Sequence, residues 1–263
     1  MSLLDQIKIL YEDEDVVVIN KPSGLIVHSD GKTSEPSVTD WVIEKYPEAE
    51  NVGEPLIMNR EVRVKNKEST PNSKFLTNNF TILRPGIVHR IDRETSGVLV
   101  LAKNQEAFEF LKKQFQNREV EKIYHAFVWG DIKKDEGTVN RSIGKSKKDF
   151  RQWSAQRGAR GEMREAITEY RVLKRSREIT FLEIRPKTGR THQIRVHMKA
   201  VNHPLLCDSL YSPKHPPELG LKRLALHAYG LKFRNFKGEI IEIKAPYSED
   251  FERALEQFES LPK

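Results

Sequence analysis

The densest chemistry in the chain lies at His89-Arg90-Ile91-Asp92-Arg93-Glu94-Thr95-Ser96-Gly97, directly ahead of the apolar run Val98-Leu99-Val100-Leu101-Ala102. A carboxylate at the mouth of a buried strand, flanked by arginines, is favoured in its charged form by the nearby positive charge. An ionised aspartate is a usable nucleophile or base. Thr95, Ser96 and Gly97 add hydroxyls and a permissive backbone that could fix the turn. The residues alone leave a second reading open, since an aspartate beside arginines in a loop is also the pattern of a surface ion pair.

A second cluster is Arg185-Pro186-Lys187-Thr188-Gly189-Arg190-Thr191-His192-Gln193-Ile194-Arg195. A glycine-containing turn that feeds a helix start presents free backbone N–H groups and a positive dipole end, which suits an anion. A well-capped helix with an exposed basic side would carry the same pattern. Other chemistries lack their residues. His192, His197, His203 and Cys207 match neither a two-histidine helix motif nor a zinc finger, so no metal site is expected. There is no phosphate-binding loop and no GxGxxG sequence, and Ser96 sits in Thr-Ser-Gly rather than a GxSxG elbow. No cofactor is called for.

Charge gives a further clue. The chain of 263 residues has 45 Lys plus Arg against 38 Asp plus Glu, a formal charge of +7. The segment from Arg141 to Arg164 carries eight basic residues, opposed only by Asp149 and Glu162, and so holds most of that surplus. Phe150 and Trp153 lie within it, and Gly144, Gly158 and Gly161 loosen it. A flexible basic arm with aromatics suits a polyphosphate backbone, because each neutralised phosphate releases a condensed counterion. A solvated surface loop is the alternative.

The elements that must position these residues follow from periodicity. Val16-Val17-Val18-Ile19-Asn20 is β-branched, ends at the turn cluster Lys21-Pro22-Ser23-Gly24, and is followed by Leu25-Ile26-Val27-His28; the opening reads as strands. Ser37 is a cap for a helix from Val38 to about Tyr46, stopped by Pro47. From there to about Arg84 the chain is polar without sustained periodicity, an excursion long for a structureless loop. Gly97 to Lys103 predicts a buried strand, Asn104 a cap, and Ala107, Phe108, Leu111 and Phe115 one face of the next helix. Strands are expected at Lys122 to Trp129, Ala166 to Leu173, Ile179 to Ile184, Leu224 to Phe233 and Glu239 to Lys244. Tyr124 falls on the face opposite Ile123. Helices are expected from Thr191 to near Asn202 and from about Ser248 to Glu259. Strand runs with a few helices and no strict βαβ alternation indicate an α+β class.

Hydrophobic residues at 37% and charged ones at 32% describe a globular chain, long enough to bury roughly 70–75% of its unfolded surface without disulfides. Cys207 is the only cysteine, which favours a reducing compartment. No apolar run reaches the roughly 20 residues of a membrane span. The start, Met1 to Gln6, lacks the form of a secretory signal, so the expectation is a cytoplasmic protein.

The motif around Asp92 closely resembles the HRLDxxTSG signature of the RluA family of RNA pseudouridine synthases, with Ile91 in place of leucine. Four further segments agree in order: Asn20 to Leu25 with Val27-His28, Lys122 to Ala126, Lys187 to Arg195, and Leu224 to Ala228. Cys207-Asp208-Ser209-Leu210-Tyr211-Ser212 departs from the family's glycine-flanked GDxLYG, which puts the local turn geometry in question. The resemblance implies one catalytic domain over residues 1–263 without an S4-type module, carrying insertions at about 47–84 and 141–164. It implies the pseudouridine-synthase fold, a mixed and largely antiparallel sheet with flanking helices and a central cleft. It also implies an isomerase that converts uridines in structured RNA, ribosomal RNA favoured over transfer RNA, without metal or nucleotide cofactor.

On that reading Asp92 is the nucleophile or base that starts glycosidic cleavage, Tyr124 is the active-site tyrosine placed to stack on uracil, and Arg195 pairs with the catalytic carboxylate. The target nucleotide must be flipped out of its stack. Arg90 is a candidate to fill the vacated place, since a guanidinium plane can stack on bases. Arg190, His192, Lys145, Lys147, Lys148 and Arg151 complete the expected RNA contacts, and a monomer is the default assembly. A non-catalytic RNA-binding protein using the same cleft, and an N-glycosidase that releases the base, are the competing readings.

Overall fold

Two successive hydrophobic strands, β1 (Lys8–Glu12) and β2 (Val16–Lys21), open the fold, and Val16 to Ile19 are buried. The computed structural model describes residues 2–29, 35–63, 75–156 and 159–262. Residues 25–28, expected to extend the opening strands, make only an isolated bridge from Ile26 to Ser37. Helix α1 (Val38–Lys45) has the expected serine cap: Ser37 and Asp40 form a reciprocal capping box. The polar excursion contains two strands the periodicity did not show, β3 (Leu56–Arg63) and β4 (Phe75–Ile82), paired antiparallel from Leu56↔Ile82 to Arg63↔Phe75. The middle of that excursion, residues 64–74, lies outside the described residues.

The sequence around the aspartate then enters β5 (Ser96–Ala102), in which every residue is buried. An unbroken run of this kind belongs to a strand covered on both faces. Helix α2 (Gln105–Gln116) lies against it, capped by Asn104 and burying Ala107, Phe108 and Leu111. Strand β6 (Glu121–Trp129) follows, then β7 (Glu136–Asn140), β8 (Ile143–Lys145), β9 (Trp153–Ser154), β10 (Arg160–Arg164), β11 (Ile167–Arg175) and β12 (Ile179–Pro186). Helix α3 (Gln193–Ala200), strands β13 (Leu226–Arg234) and β14 (Ile240–Lys244), and helix α4 (Glu249–Glu259) complete the chain. Among the described residues, nine strands form one sheet in the order β1-β2-β5-β13-β6-β12-β11-β7, with β14 paired to β13. Only β5 and β13 run parallel in it; the other pairings are antiparallel, and the fold is α+β.

That parallel step is where a glycine is required. Gly97 has φ of +112°, and a Cβ there would stand 2.2 Å from the Ala228 carbonyl oxygen. The close approach lets Ser96 and His227 meet at 2.9 Å across the same pair of strands. The start of β5, and with it the Asp92 loop, is thereby set against the middle of the sheet.

Two further expectations are corrected. The helix after the second basic cluster begins at Gln193 rather than Thr191, because His192 adopts a left-handed conformation with φ of 55° and breaks the helical backbone before it. The basic segment is not a loose arm in its described residues. Strands β8, β9 and β10 form a three-stranded antiparallel sheet, with Ile143 buried against Val196, Ala166 and Tyr211. A few short strands with one buried isoleucine leave no periodicity to read, which is why the segment looks like loop in sequence.

Candidate active site

The turn Lys21-Pro22-Ser23-Gly24 grips the Asp92 loop from below. Lys21, fully buried, donates from Nζ to the carbonyls of Pro22, Leu25 and Arg93 at 2.9, 2.8 and 3.1 Å. Ser23 Oγ donates to the Glu94 carbonyl at 2.7 Å, and the Gly24 N–H donates to the Arg93 carbonyl at 2.9 Å. Burial pulls Lys21 down to about 7 while the Asp92 charge pushes the other way. From the far side Arg223, held to Asp250 through two hydrogen bonds of 2.6 and 3.0 Å, reaches the Glu94 carbonyl at 3.4 Å. Buried lysines are rare unless their donors are satisfied, and here each donor has a backbone acceptor.

Asp92 emerges from this loop with its side chain 20% exposed, and its Oδ2 accepts from Arg195 at 3.2 Å. Arg195 lies in the first turn of α3 and is almost fully buried. Its Nε and a terminal nitrogen each donate to Asp208 at 2.8 Å, a bidentate pair in which Asp208 has no exposed surface. Asp208 also accepts the backbone N–H groups of Leu210 and Tyr211, at 3.1 and 2.9 Å. Burial works against the Arg195 charge, but the hydrogen bonds and charge of Asp208 together with the Asp92 charge outweigh it and raise the guanidinium above its ordinary value. One guanidinium therefore carries two carboxylates: Asp208 fixes its plane, and Asp92 receives its remaining arm.

The ring of Tyr211 lies beneath this pair, 5.0 Å from the Arg195 guanidinium carbon. Its hydroxyl accepts the Trp153 N–H and meets His192 Nδ1, both at 2.9 Å. Sequence reasoning missed Asp208 and Tyr211 as site residues. The signal was the aspartate and tyrosine inside Cys207 to Ser212, a segment read only for its turn geometry. That turn keeps a glycine-like backbone without glycine, since Cys207 has φ of 56°.

Tyr124 comes from β6 and lines the same cleft as Asp92. Burial, and then the Asp92 charge, push its phenol well above the ordinary value, so it remains a neutral ring and hydrogen-bonding hydroxyl. His192 is lowered by burial, with Asp92 opposing, and is a neutral imidazole near pH 7. His89, stacked on Phe115 with ring centroids 4.5 Å apart, accepts the Val100 N–H at 3.1 Å and is held by burial at about 3. The expected anion site is a turn held by its own residues: Gln193 Oε1 accepts from the Arg190 N–H at 3.0 Å and from Thr188 Oγ1 at 2.6 Å.

The cleft measures about 660 Å³ and gathers Asp92, Tyr124, Arg195, Arg90, Arg190 and His192 from distant parts of the sequence. Arg90 is exposed and reaches His28 Nε2 at 3.2 Å. The arm residues are not part of this cleft. Lys145, Lys147, Lys148 and Arg151 lie exposed on and beside the basic sheet, and Arg151 is bonded to Asp149 at 2.8 Å. The sheet is nonetheless tied to the site, through Gln152 Nε2 to the Leu210 carbonyl at 2.7 Å and through Trp153 to Tyr211. His197 is engaged at both ring nitrogens, by Thr168 Oγ1 and the Arg141 carbonyl, each at 2.8 Å. Among the described residues no helix is long and apolar enough to cross a membrane.

Known proteins share both the pattern and the architecture. Residues 15–200 match the family model described as RNA pseudouridylate synthase. The chain is 35% identical to the Bacillus subtilis "Uncharacterized RNA pseudouridine synthase YlyB" over 94% of its own length and 71% of that protein. It is 33% identical to the Neisseria meningitidis "Ribosomal large subunit pseudouridine synthase D", over 94% of this chain and 60% of the relative. In fold it superposes on the human RNA Pseudouridylate Synthase Domain Containing 4 with a TM-score of 0.70 at 24% identity, covering 99% of this chain and 96% of the other. With the motif around Asp92, the buried arginine beside it and these likenesses in agreement, the chain belongs to the RluA-type family of RNA pseudouridine synthases.

Proposed function

We propose that this synthase isomerises specific uridines of structured ribosomal RNA in the cytoplasm, and that Asp92 begins the reaction. The observation that carries the reading is the Asp92–Arg195 contact of 3.2 Å within a cleft that also presents Tyr124. The relatives named as ribosomal large subunit enzymes support the choice of RNA. The reaction breaks the bond from N1 of uracil to C1′ of ribose, forms a bond from C5 to C1′, and releases the C5 proton.

The chain's own groups fit these demands. Asp92 is aimed by an arginine that cannot leave, because Asp208 holds it from behind. Whether the carboxylate adds to the base, attacks the sugar or removes a sugar proton, it must approach the nucleoside on one fixed line, and the clamp supplies that line. Tyr124 is a neutral phenol, suited to stack on uracil and to relay a proton through its hydroxyl rather than to act as a free phenolate. The flipped base costs a few kcal/mol of lost stacking. Arg90, exposed at the cleft, is the candidate to stack in the gap it leaves. The reaction also requires that water be held off while the base is detached, since hydrolysis would leave an abasic site.

The experiment is incubation of the full chain with [5-³H]uridine-labelled ribosomal RNA, followed by nuclease digestion and chromatography. Release of tritium with matching pseudouridine and no free uracil is the expected result. Free uracil would indicate glycosidase action, and binding without tritium release would indicate a non-catalytic RNA-binding protein.

A further inference from the structure

A second cavity lies apart from the cleft around Asp92. It holds about 860 Å³ and opens between the basic sheet, the end of α3 and the end of β6. Its size lies within the range of about 300–1,000 Å³ typical of ligand sites. Its walls combine flat rings with cations. Trp153 lines it, as does Trp129, whose ring stacks on His215 with centroids 4.8 Å apart. Lys148, Arg177 and Lys199 bring positive charge to the same cavity, and Glu178 is the one acid among the lining residues.

The cavity shares a wall with the catalytic cleft. Tyr211 lines it, while the Tyr211 hydroxyl bonds to His192 and its ring meets Arg195, both of which line the cleft.

We infer that this second cavity holds one unpaired nucleotide of the same RNA, its base stacked on Trp153 and its phosphate met by Lys148, Arg177 and Lys199. The inference rests on the RNA substrate of the proposed function. The occupant is a nucleotide rather than an acidic peptide because the cations come together with flat rings on which a base can stack. Neighbouring charge agrees, since the cavity opens on the segment that carries most of the chain's positive surplus. A base seated here would press on Tyr211 and hence on the plane of Arg195, so occupancy would report to the catalytic carboxylate that the correct RNA shape is bound.

The test uses the full chain with single-stranded RNA containing 4-thiouridine, crosslinked by light and mapped by peptide mass spectrometry. Alongside it, affinity for oligouridylate and for duplex RNA is measured for Trp153→Ala, Trp153→Phe and Lys199→Gln. Crosslinks to residues 146–156, Trp129 or His215 are expected in addition to those in the catalytic cleft. Trp153→Ala is expected to lose about tenfold in single-strand affinity with duplex affinity unchanged, and Trp153→Phe to recover most of it. Lys199→Gln, at an exposed position, should lower single-strand affinity and the slope of its salt dependence, and it decides the matter if Trp153→Ala does not fold. Crosslinks confined to the catalytic cleft, with unchanged affinities, would overturn the proposal. Tritium release by the wild type is scored separately: its absence with crosslinks at this cavity rejects the isomerase reading and keeps the subsite, and the converse does the reverse.

Discussion

At the scale of single residues, the site is an arginine shared between two carboxylates with unequal duties. Asp208, without exposed surface, holds the arginine in place, and Asp92, 20% exposed on the cleft, is the carboxylate we propose meets substrate. Replacing Asp208 by Asn leaves the shape but removes the charge that holds Arg195. Breaking one side of a buried pair costs about 3–5 kcal/mol. Asp208→Asn is therefore expected to lower the melting temperature and to cut kcat about a hundredfold with little change in KM, as a misaimed catalytic group would; an unchanged kcat would remove Asp208 from the site. The three residues proposed to carry the reaction stand out in sequence because Asp92, Tyr124 and Arg195 each sit in a motif with distinctive neighbours. Asp208 was not, because its role depends on a partner thirteen positions away that only the packing of α3 against the 207–212 turn brings near. Lys21 stands out in sequence only within a turn and the Asn20 to Leu25 segment, since nothing in a sequence says that a lysine is buried and spends its donors on backbone carbonyls.

At the scale of elements, long periodic segments were readable and short ones were not. The strand at Ser96–Ala102 and the helix Gln105–Gln116 followed directly from an apolar run and a capped amphipathic pattern. Strands β8 to β10 did not, because a basic stretch in short strands has no alternation to detect. The same elements make distinct predictions. Gly97→Ala would force a Cβ into the Ala228 carbonyl at a positive φ, so it is expected to destabilise the protein by about 2–4 kcal/mol in denaturant melts. A near-neutral effect would show that β5 and β13 can part locally. The basic sheet is expected to face RNA. Changing Lys145, Lys147 and Lys148 together to Ala should weaken RNA binding and reduce the dependence of log affinity on log salt, by up to about 0.7–0.9 for each phosphate that is no longer neutralised. An identical salt slope would mean that these exposed lysines point away from the substrate.

At the scale of the whole molecule, the large sheet ties the site to the pH range in which the protein can stay folded. His125 and His227 are buried, and burial brings both to about 4, while His89 is brought to about 3. In the unfolded chain these imidazoles take up protons near 6.5, so between about 6.5 and 3 the unfolded state binds more protons than the native one. Stability is therefore fully present above that range and falls as pH drops through it, by several kcal/mol in all by about pH 4. Chemical denaturation at stepped pH checks this, and a flat profile from pH 7 to 4 would show that other groups compensate. We propose that Asp92, aimed by Arg195, starts the isomerisation in a cleft that otherwise only binds and positions RNA. The most direct test is single-turnover tritium release from [5-³H]uridine-labelled RNA by wild type and Asp92→Ala at saturating enzyme. Binding retained within about threefold with release abolished is the predicted result, and release by the alanine variant at a rate near wild type would contradict it.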